Sequence, residues 1–186
     1  IKVLSTSSKT EIQAKNLGLP LTQIDKVSNI DIVIDGADET DMKLNLIKGG
    51  GGALLQEKIV ASNSNKMIVI VDSSKVVENL GKFPLPIEIV KFGCNSTKKQ
   101  IEKMLYNLGY SNFSMNWRKE NDKFFITDEK HYILDLYLKK IKDPTFLHKI
   151  INNIPGVVET GLFIKIANQV IVGDEKGNIK LIKEEG

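Results

Sequence analysis

The chain has 186 residues, 41% hydrophobic and 26% charged, with a net charge of +3, enough for one large domain or a domain with a smaller companion. That small positive balance is spread along the chain, so the lysines at Lys98-Lys99 and Lys139 to Lys142 read as solvated faces of helices or helix ends, and no nucleic-acid partner is expected. A lone cysteine, Cys94, excludes an intramolecular disulfide and a thiolate metal cluster and fits a reducing cytosol, while no apolar run approaches the ~20 residues that span a bilayer, so no membrane partner is expected.

No basic-plus-apolar leader precedes Ile1, and the missing initiator methionine leads to the expectation that the sequence starts inside a longer chain. Residues 1–34 read as a β–α–β passage. Ile1 to Ser5 is strand-like, Ser5 to Ser8 offers hydroxyls and a helix cap, and Thr10 to Leu17 has helical spacing that stops at Gly18. Ile30 to Ile34 reads as a parallel strand covered on both faces. Met67 to Val71 is another buried strand, followed by the polar loop Asp72-Ser73-Ser74-Lys75. The alternation predicts an α/β fold, a doubly wound, mostly parallel, Rossmann-like sheet, with ligands at the carboxyl ends of strands where Asp35 and Asp72 fall.

Composition changes at Phe83-Pro84-Leu85-Pro86, where two prolines favour an edge or linker. Beyond it the expected order is strand 87–90, helix 96–108, strands 112–117, 124–126 and 132–137, helix 144–153 and strand 157–164. That order predicts a smaller ferredoxin-like α+β domain with one strand in excess or split, its middle hairpin turning at Glu120-Asn121-Asp122. Gln169 to Ile182 adds two short strands around Glu175-Lys176-Gly177-Asn178 and returns to the first domain. The expected division is 1–84 with 164–186 for the catalytic domain and 85–163 for the small one.

The chemistry concentrates between Asp31 and Ala61. Asp35-Gly36-Ala37-Asp38 follows a strand, with a glycine that lets the backbone bend between two carboxylates. An ordinary turn with a helix cap explains that much equally well. The run Lys48-Gly49-Gly50-Gly51-Gly52 is harder to explain as packing, because consecutive glycines between apolar elements cost conformational entropy; backbone N–H groups approaching an anion at a helix N-terminus account for it better. The P-loop needs its lysine after the glycines, and the dinucleotide fingerprint needs a glycine where Leu54 stands, so neither fits. Glu57, about one turn into the helix that starts near Ala53, reads alone as a surface glutamate beside Lys58. Placed over the glycine loop with Asp35 and Lys48, it reads as a general base, its pKa raised by desolvation and lowered by the lysine and helix N-terminus. Lys82 sits at the domain boundary, and Lys75 has the same weak standing. His131 and His148 lack partners at metal-ligand spacing and read as structural or exposed, Cys94 as a buried or incidental thiol, Trp117 as core.

Taken together, Asp35-Gly-Ala-Asp38-Glu, Leu46-Ile-Lys48 with its glycines, Glu57-Lys-Ile-Val-Ala, Asp72-Ser-Ser-Lys75 and Leu80-Gly-Lys82-Phe-Pro-Leu-Pro-Ile-Glu88 resemble the type A ribose-5-phosphate isomerases. Phe125-Ile-Thr-Asp128, Ile133-Leu-Asp135 and Ile154 to Phe163 extend the resemblance over nearly the whole chain, in order. It implies a cofactor-free, metal-free aldose–ketose isomerase of the non-oxidative pentose phosphate pathway, acting on a small sugar phosphate in the cytoplasm as a homodimer or homotetramer. By the same resemblance Glu57 moves the proton between C2 and C1 through an enediolate, and Asp35 assists ring opening. Asp38 binds sugar hydroxyls; Lys48 with Gly49, Gly50 and Gly51 stabilises the oxyanion; Gly36 and Ala37 line the substrate. Lys82 holds the substrate and Ser5 to Ser8 lie near the pocket. The family's Gly-Thr-Gly-Ser-Thr phosphate loop is not found before Ile1, so a fragment of only these residues is expected to be inactive. The competing reading is a non-catalytic sugar-phosphate-binding regulatory domain of related fold, against which Glu57 and Lys48 together weigh.

Overall fold

In the computed structural model, residues 1–183 are described. Helix α1 (Ser8–Asn16) is capped by the Ser7 hydroxyl, which accepts from the Thr10 N–H, and ends where Gly18 takes a left-handed φ of 64°. The strand expected at 1–5 is reduced to an isolated parallel bridge between Val3 and Leu21, in which the Val3 N–H donates to Pro20 O at 3.1 Å and the Thr22 N–H to Val3 O at 2.9 Å.

Next come β1 (Val33–Asp35), β2 (Glu39–Thr40) and β3 (Leu46–Ile47), then α2 (Leu54–Ser62) and β4 (Met67–Asp72). After the proline boundary follow β5 (Leu85–Ile89), α3 (Cys94–Asn107), β6 (Ser114–Trp117), β7 (Lys119–Glu120), β8 (Lys123–Phe124), β9 (Tyr132–Tyr137) and α4 (Pro144–Asn152). The chain closes with β10 (Val157–Thr160), β11 (Leu162–Phe163), β12 (Gln169–Gly173) and β13 (Ile179–Lys183).

One sheet has the order β1-β4-β12-β13, parallel but for its last pair, which the tail supplies as a hairpin turning on Asp174 and Gly177. Val33, Met67, Val69, Val71, Val170 and Val172 point from it into a core shared with Val60 and Ala61 of α2. Alternation sends Ile34 and Ile70 the other way, where they are 62% and 52% exposed. The reading of 30–34 as a strand covered on both faces is therefore corrected: the described residues bury one side of it.

The second sheet, β10-β5-β9-β6, is antiparallel throughout, and its strand order with α3 and α4 between strands is ferredoxin-like. Its core is Leu85, Ile87, Ile89, Leu134 and Leu136 packed on Ile101, Leu105, Leu147 and Ile151. Pro144 at the first turn and Asp143, which accepts from the Phe146 N–H at 2.9 Å, start α4. The excess strand resolves as β7–β8, a side hairpin whose turn residues Asn121 and Asp122 both adopt positive φ. Lys139 to Lys142 lie in the loop before α4 rather than on a helix, whereas Lys98 and Lys99 lie on α3.

Residues 157–164 form two strands, not one. β10 pairs with β5, and β11 leaves to pair with β3 in a three-stranded sheet, β11-β3-β2, that periodicity did not reveal. The bend falls at Gly161, where a Cβ would sit 2.2 Å from the Lys48 carbonyl oxygen. Its N–H donates to Pro86 O at 2.7 Å, and its carbonyl accepts from the Lys48 N–H at 2.9 Å. Gly161 therefore bonds both to the small sheet, at Pro86, and to Lys48, the residue after β3.

Candidate active site

Asp35 ends β1, Lys48 follows β3 and Glu57 lies in the first turn of α2, so three separate elements bring the three side chains together. The Lys48 ammonium lies 2.8 Å from Asp35 Oδ2 and 3.2 Å from Glu57 Oε2, and it donates to the Gly36 carbonyl at 2.6 Å. Its side chain is only 4% exposed. Burial of an ammonium is tolerable here because three oxygens surround it. Glu57 Oε2 is buried, with the Lys48 ammonium at 3.2 Å as its charged neighbour. Desolvation pushes the Glu57 carboxyl above its ordinary value; Lys48 opposes this, while the negative charges of Asp35 and Asp38 reinforce it. A carboxylate so tuned, beside a fixed cation, suits moving a proton next to a developing oxyanion.

The glycine loop is a packed turn. Asp38 Oδ2 accepts the Gly50 N–H at 2.7 Å, and the Gly52 N–H closes onto Gly49 O at 3.0 Å. Of the glycine amides, those of Gly49 and Gly51 carry no hydrogen bond among the described residues. Gly49 and Gly52 have φ of 105° and 88°, and a Cβ on Gly52 would lie 2.4 Å from Phe125 Cζ. The loop leads straight into α2, whose N-terminus has no side-chain cap. Asp38 therefore shapes the loop with one carboxylate oxygen.

Sequence reasoning missed Arg118. Its Nη1 donates to Gly49 O at 2.6 Å and Gly50 O at 3.0 Å, while Nε and Nη2 grip Asp135 at 2.9 and 2.5 Å. The guanidinium thus ties the loop to the small sheet. Glu39 was also missed: buried at 3% exposure, it accepts from the Gly81 and Phe83 N–H groups at 2.7 and 2.5 Å and holds the turn that presents Lys82. Lys82 itself is exposed and makes no ion pair among the described residues. Asp72 is spent on its own turn, accepting from Ser74.

Ser5, Ser7 and Ser8 line a groove of about 620 Å³ with Gln56, Ile59 and Glu129, on the outer side of α2. Neither Asp35, Lys48 nor Glu57 borders it. His131 bonds Glu88, and His148 bonds the Thr160 hydroxyl at 2.7 Å, so both are partly buried structural groups. Among the described residues no cluster of three or more His, Cys, Asp or Glu is placed to hold a metal, and no helix is long and apolar enough to cross a membrane.

Residues 2–177 match the family described as ribose 5-phosphate isomerase A (phosphoriboisomerase A). A ribose-5-phosphate isomerase A of Dinoroseobacter shibae is 47% identical over 181 residues, covering 97% of this chain and 70% of that protein. The solved ribose 5-phosphate isomerase of Plasmodium falciparum is 40% identical, with a TM-score of 0.91 over 98% of this chain and 78% of that one. A ribose-5-phosphate isomerase in complex with phospho-erythronic acid is 36% identical, with a TM-score of 0.85 over 98% of this chain and 78% of that one.

Proposed function

The chain belongs to the ribose 5-phosphate isomerase A family, and on that premise we propose that the Lys48 cluster is where it interconverts ribose 5-phosphate and ribulose 5-phosphate. The observation that carries the assignment is the raised, buried carboxyl of Glu57 beside the fixed ammonium of Lys48.

In the forward direction Asp35 assists opening of the furanose ring, exposing the C1 aldehyde. Glu57 takes the proton from C2; the C–H electrons form the C1=C2 bond, and the carbonyl pair moves onto O1. Lys48 and the amides of Gly49 and Gly51 face that negative charge, an electrostatic contribution present before the reaction starts. Glu57 then returns its proton to C1, and the O2 proton moves to O1, leaving the C2 ketone. Asp38 orients sugar hydroxyls, Gly36 and Ala37 line the substrate, and Lys82 holds it. The ligand of the solved relative, phospho-erythronic acid, supports this reading, because its carboxylate resembles the charge of the enediolate at one end and its phosphate the other.

The same reading divides the chain into a catalytic part, 1–84 with 164–186, and a small domain, 85–163; two apolar clusters lend it support, although Ile47 and Leu80 pack with the small domain's cluster and Phe163 with the other. It further assigns self-association as a homodimer or homotetramer, a cytoplasmic location supported by the lone cysteine, and no nucleic-acid or membrane partner, supported by the modest net charge of +3. Light scattering of the purified protein tests the first.

The deciding experiment follows ribulose 5-phosphate formation by the full-length protein from ribose 5-phosphate, with arabinose 5-phosphate as the control epimer. Glu57→Gln is expected to lower turnover by about 10²–10⁴-fold while sparing substrate binding. Near-normal turnover in that variant removes Glu57 from the chemistry.

A further inference from the structure

Behind the proposed base lies a second buried ionic group that the reaction itself does not use. Lys58, the next residue along α2, is turned about 100° around the helix from Glu57. Its ammonium donates to Thr160 O at 2.6 Å and Leu162 O at 2.8 Å and pairs with Glu159 Oε1 at 2.9 Å. Glu159 Oε1 also accepts from Asn152 Nδ2 at 2.9 Å and from the Thr160 N–H at 2.7 Å. His148 of α4 bonds the Thr160 hydroxyl. Every one of these contacts falls on the short bend where the chain passes from the small sheet to β11.

That bend is the piece of backbone that positions Lys48. Gly161, between the two carbonyls that Lys58 grips, accepts the Lys48 N–H at 2.9 Å. Leu162 and Phe163 pair with Ile47 and Leu46, the residues just before Lys48. The ring of Phe163 lies within cation–π reach of both ammoniums, 4.8 Å from Lys58 and 5.5 Å from Lys48. Helix α2 therefore touches the Lys48 strand twice: directly through Glu57, and through Lys58 by way of Gly161.

Lys58 is held in one place by its surroundings. The side chain is 9% exposed, and burial brings its amine down to about 8, although Glu159 pulls the other way. Removing an ammonium from water is expensive unless its partners are complete, as they are here. We propose that Lys58 is a positioning residue for the isomerisation: it locks α2 onto the 160–162 bend and thereby sets the separation of Glu57 from Lys48. This inference rests on the isomerase reading with Glu57 as base.

The test is Lys58→Met, which keeps the stem and removes the donors, together with Lys58→Met/Glu159→Gln, which avoids stranding a buried carboxylate if the single variant folds poorly. Turnover is expected to fall about 10- to 100-fold with KM within about twofold, because misplacing a catalytic group affects the chemical step more than binding. The acid limb of kcat should also move to higher pH. Burial raises the Glu57 carboxyl most and the nearby Lys48 lowers it, so the limb moves when the setting of Glu57 against Lys48 changes. Independently of activity, the amides of Lys48 and Gly161 should exchange with solvent about tenfold faster, while that of Val170 in β12 stays protected. Unchanged kcat, unchanged limb and unchanged exchange at Lys48 in a folded variant overturn the proposal, even if the melting temperature drops. A wild-type protein that does not turn over ribose 5-phosphate defeats the isomerase reading instead, and the exchange measurement then still decides whether Lys58 holds the Lys48 strand.

Discussion

Replacing Arg118 with lysine tests whether the glycine loop is held from outside. The guanidinium makes four bonds at once, two to Asp135 and one each to the carbonyls of Gly49 and Gly50. A lysine keeps the charge but offers a compact ammonium that cannot span a carboxylate and two carbonyls together. Hydrogen bonds involving a charged group contribute about 1.5–3 kcal/mol each, and one or two of the four would be lost, so Arg118→Lys should destabilise by roughly 2–4 kcal/mol. Arg118→Ala should cost about 3–5 kcal/mol, since it leaves the Asp135 carboxylate, 11% exposed, without its partner. At about 2–4 °C per kcal/mol for a chain of this size, the lysine variant should melt roughly 4–16 °C lower. Urea unfolding measures the loss, and a double-mutant cycle with Asp135→Asn isolates the pair. A freed loop should also reduce kcat/KM about tenfold, which corresponds to about 1.4 kcal/mol of barrier. If Arg118→Lys unfolds within 0.5 kcal/mol of the wild type and keeps its kcat/KM, the clamp does not exist and the loop is held by its own turn.

Two further outcomes follow from the same site. Gly52→Ala forces a side chain into φ 88° and against the Phe125 ring, so it should destabilise by about 2 kcal/mol or more and lower turnover, whereas Gly51→Ala, with open space at its Cβ, should be milder; thermal melts of the two compare them directly. Activity should fall as acidity protonates Glu57, at a pH above the ordinary glutamate range because its folded value is raised. Asp35→Asn removes a charge that reinforces this elevation, so the acid limb of kcat/KM should move to lower pH whatever happens to its height; a limb that stays in place means Glu57 is not the titrating base. The linkage sign agrees: stability contributed by a group with a raised folded value is complete below its unfolded value and fades as pH rises through the folded one.

The apolar run 67–71 was legible as a strand, although Ile70 faces outward and only its alternate residues are buried, and the helix at 54–62 was legible because it follows the glycines. The three-stranded sheet β11-β3-β2 was not, because strands of two residues carry no period. Asp35, Lys48 and Glu57 could be named in advance since their types and order are unusual for packing, but their meeting at one ammonium depends on β1 and β3, which lie 11 residues apart, ending side by side. The supports were harder to see. Glu39 and Lys58 sit next to conspicuous residues and look like solvated neighbours until their burial is known. Arg118 did leave a trace: it is the sole arginine in a chain whose other basic residues, apart from two histidines, are all lysines. An arginine in so lysine-rich a chain points to the planar fork rather than the charge, a distinction that fixed acceptors make matter. The carboxylate of Asp135 and the carbonyls of Gly49 and Gly50 supply those acceptors, so the residue that best anticipates the loop's anchor lies 66 residues beyond the last of its glycines.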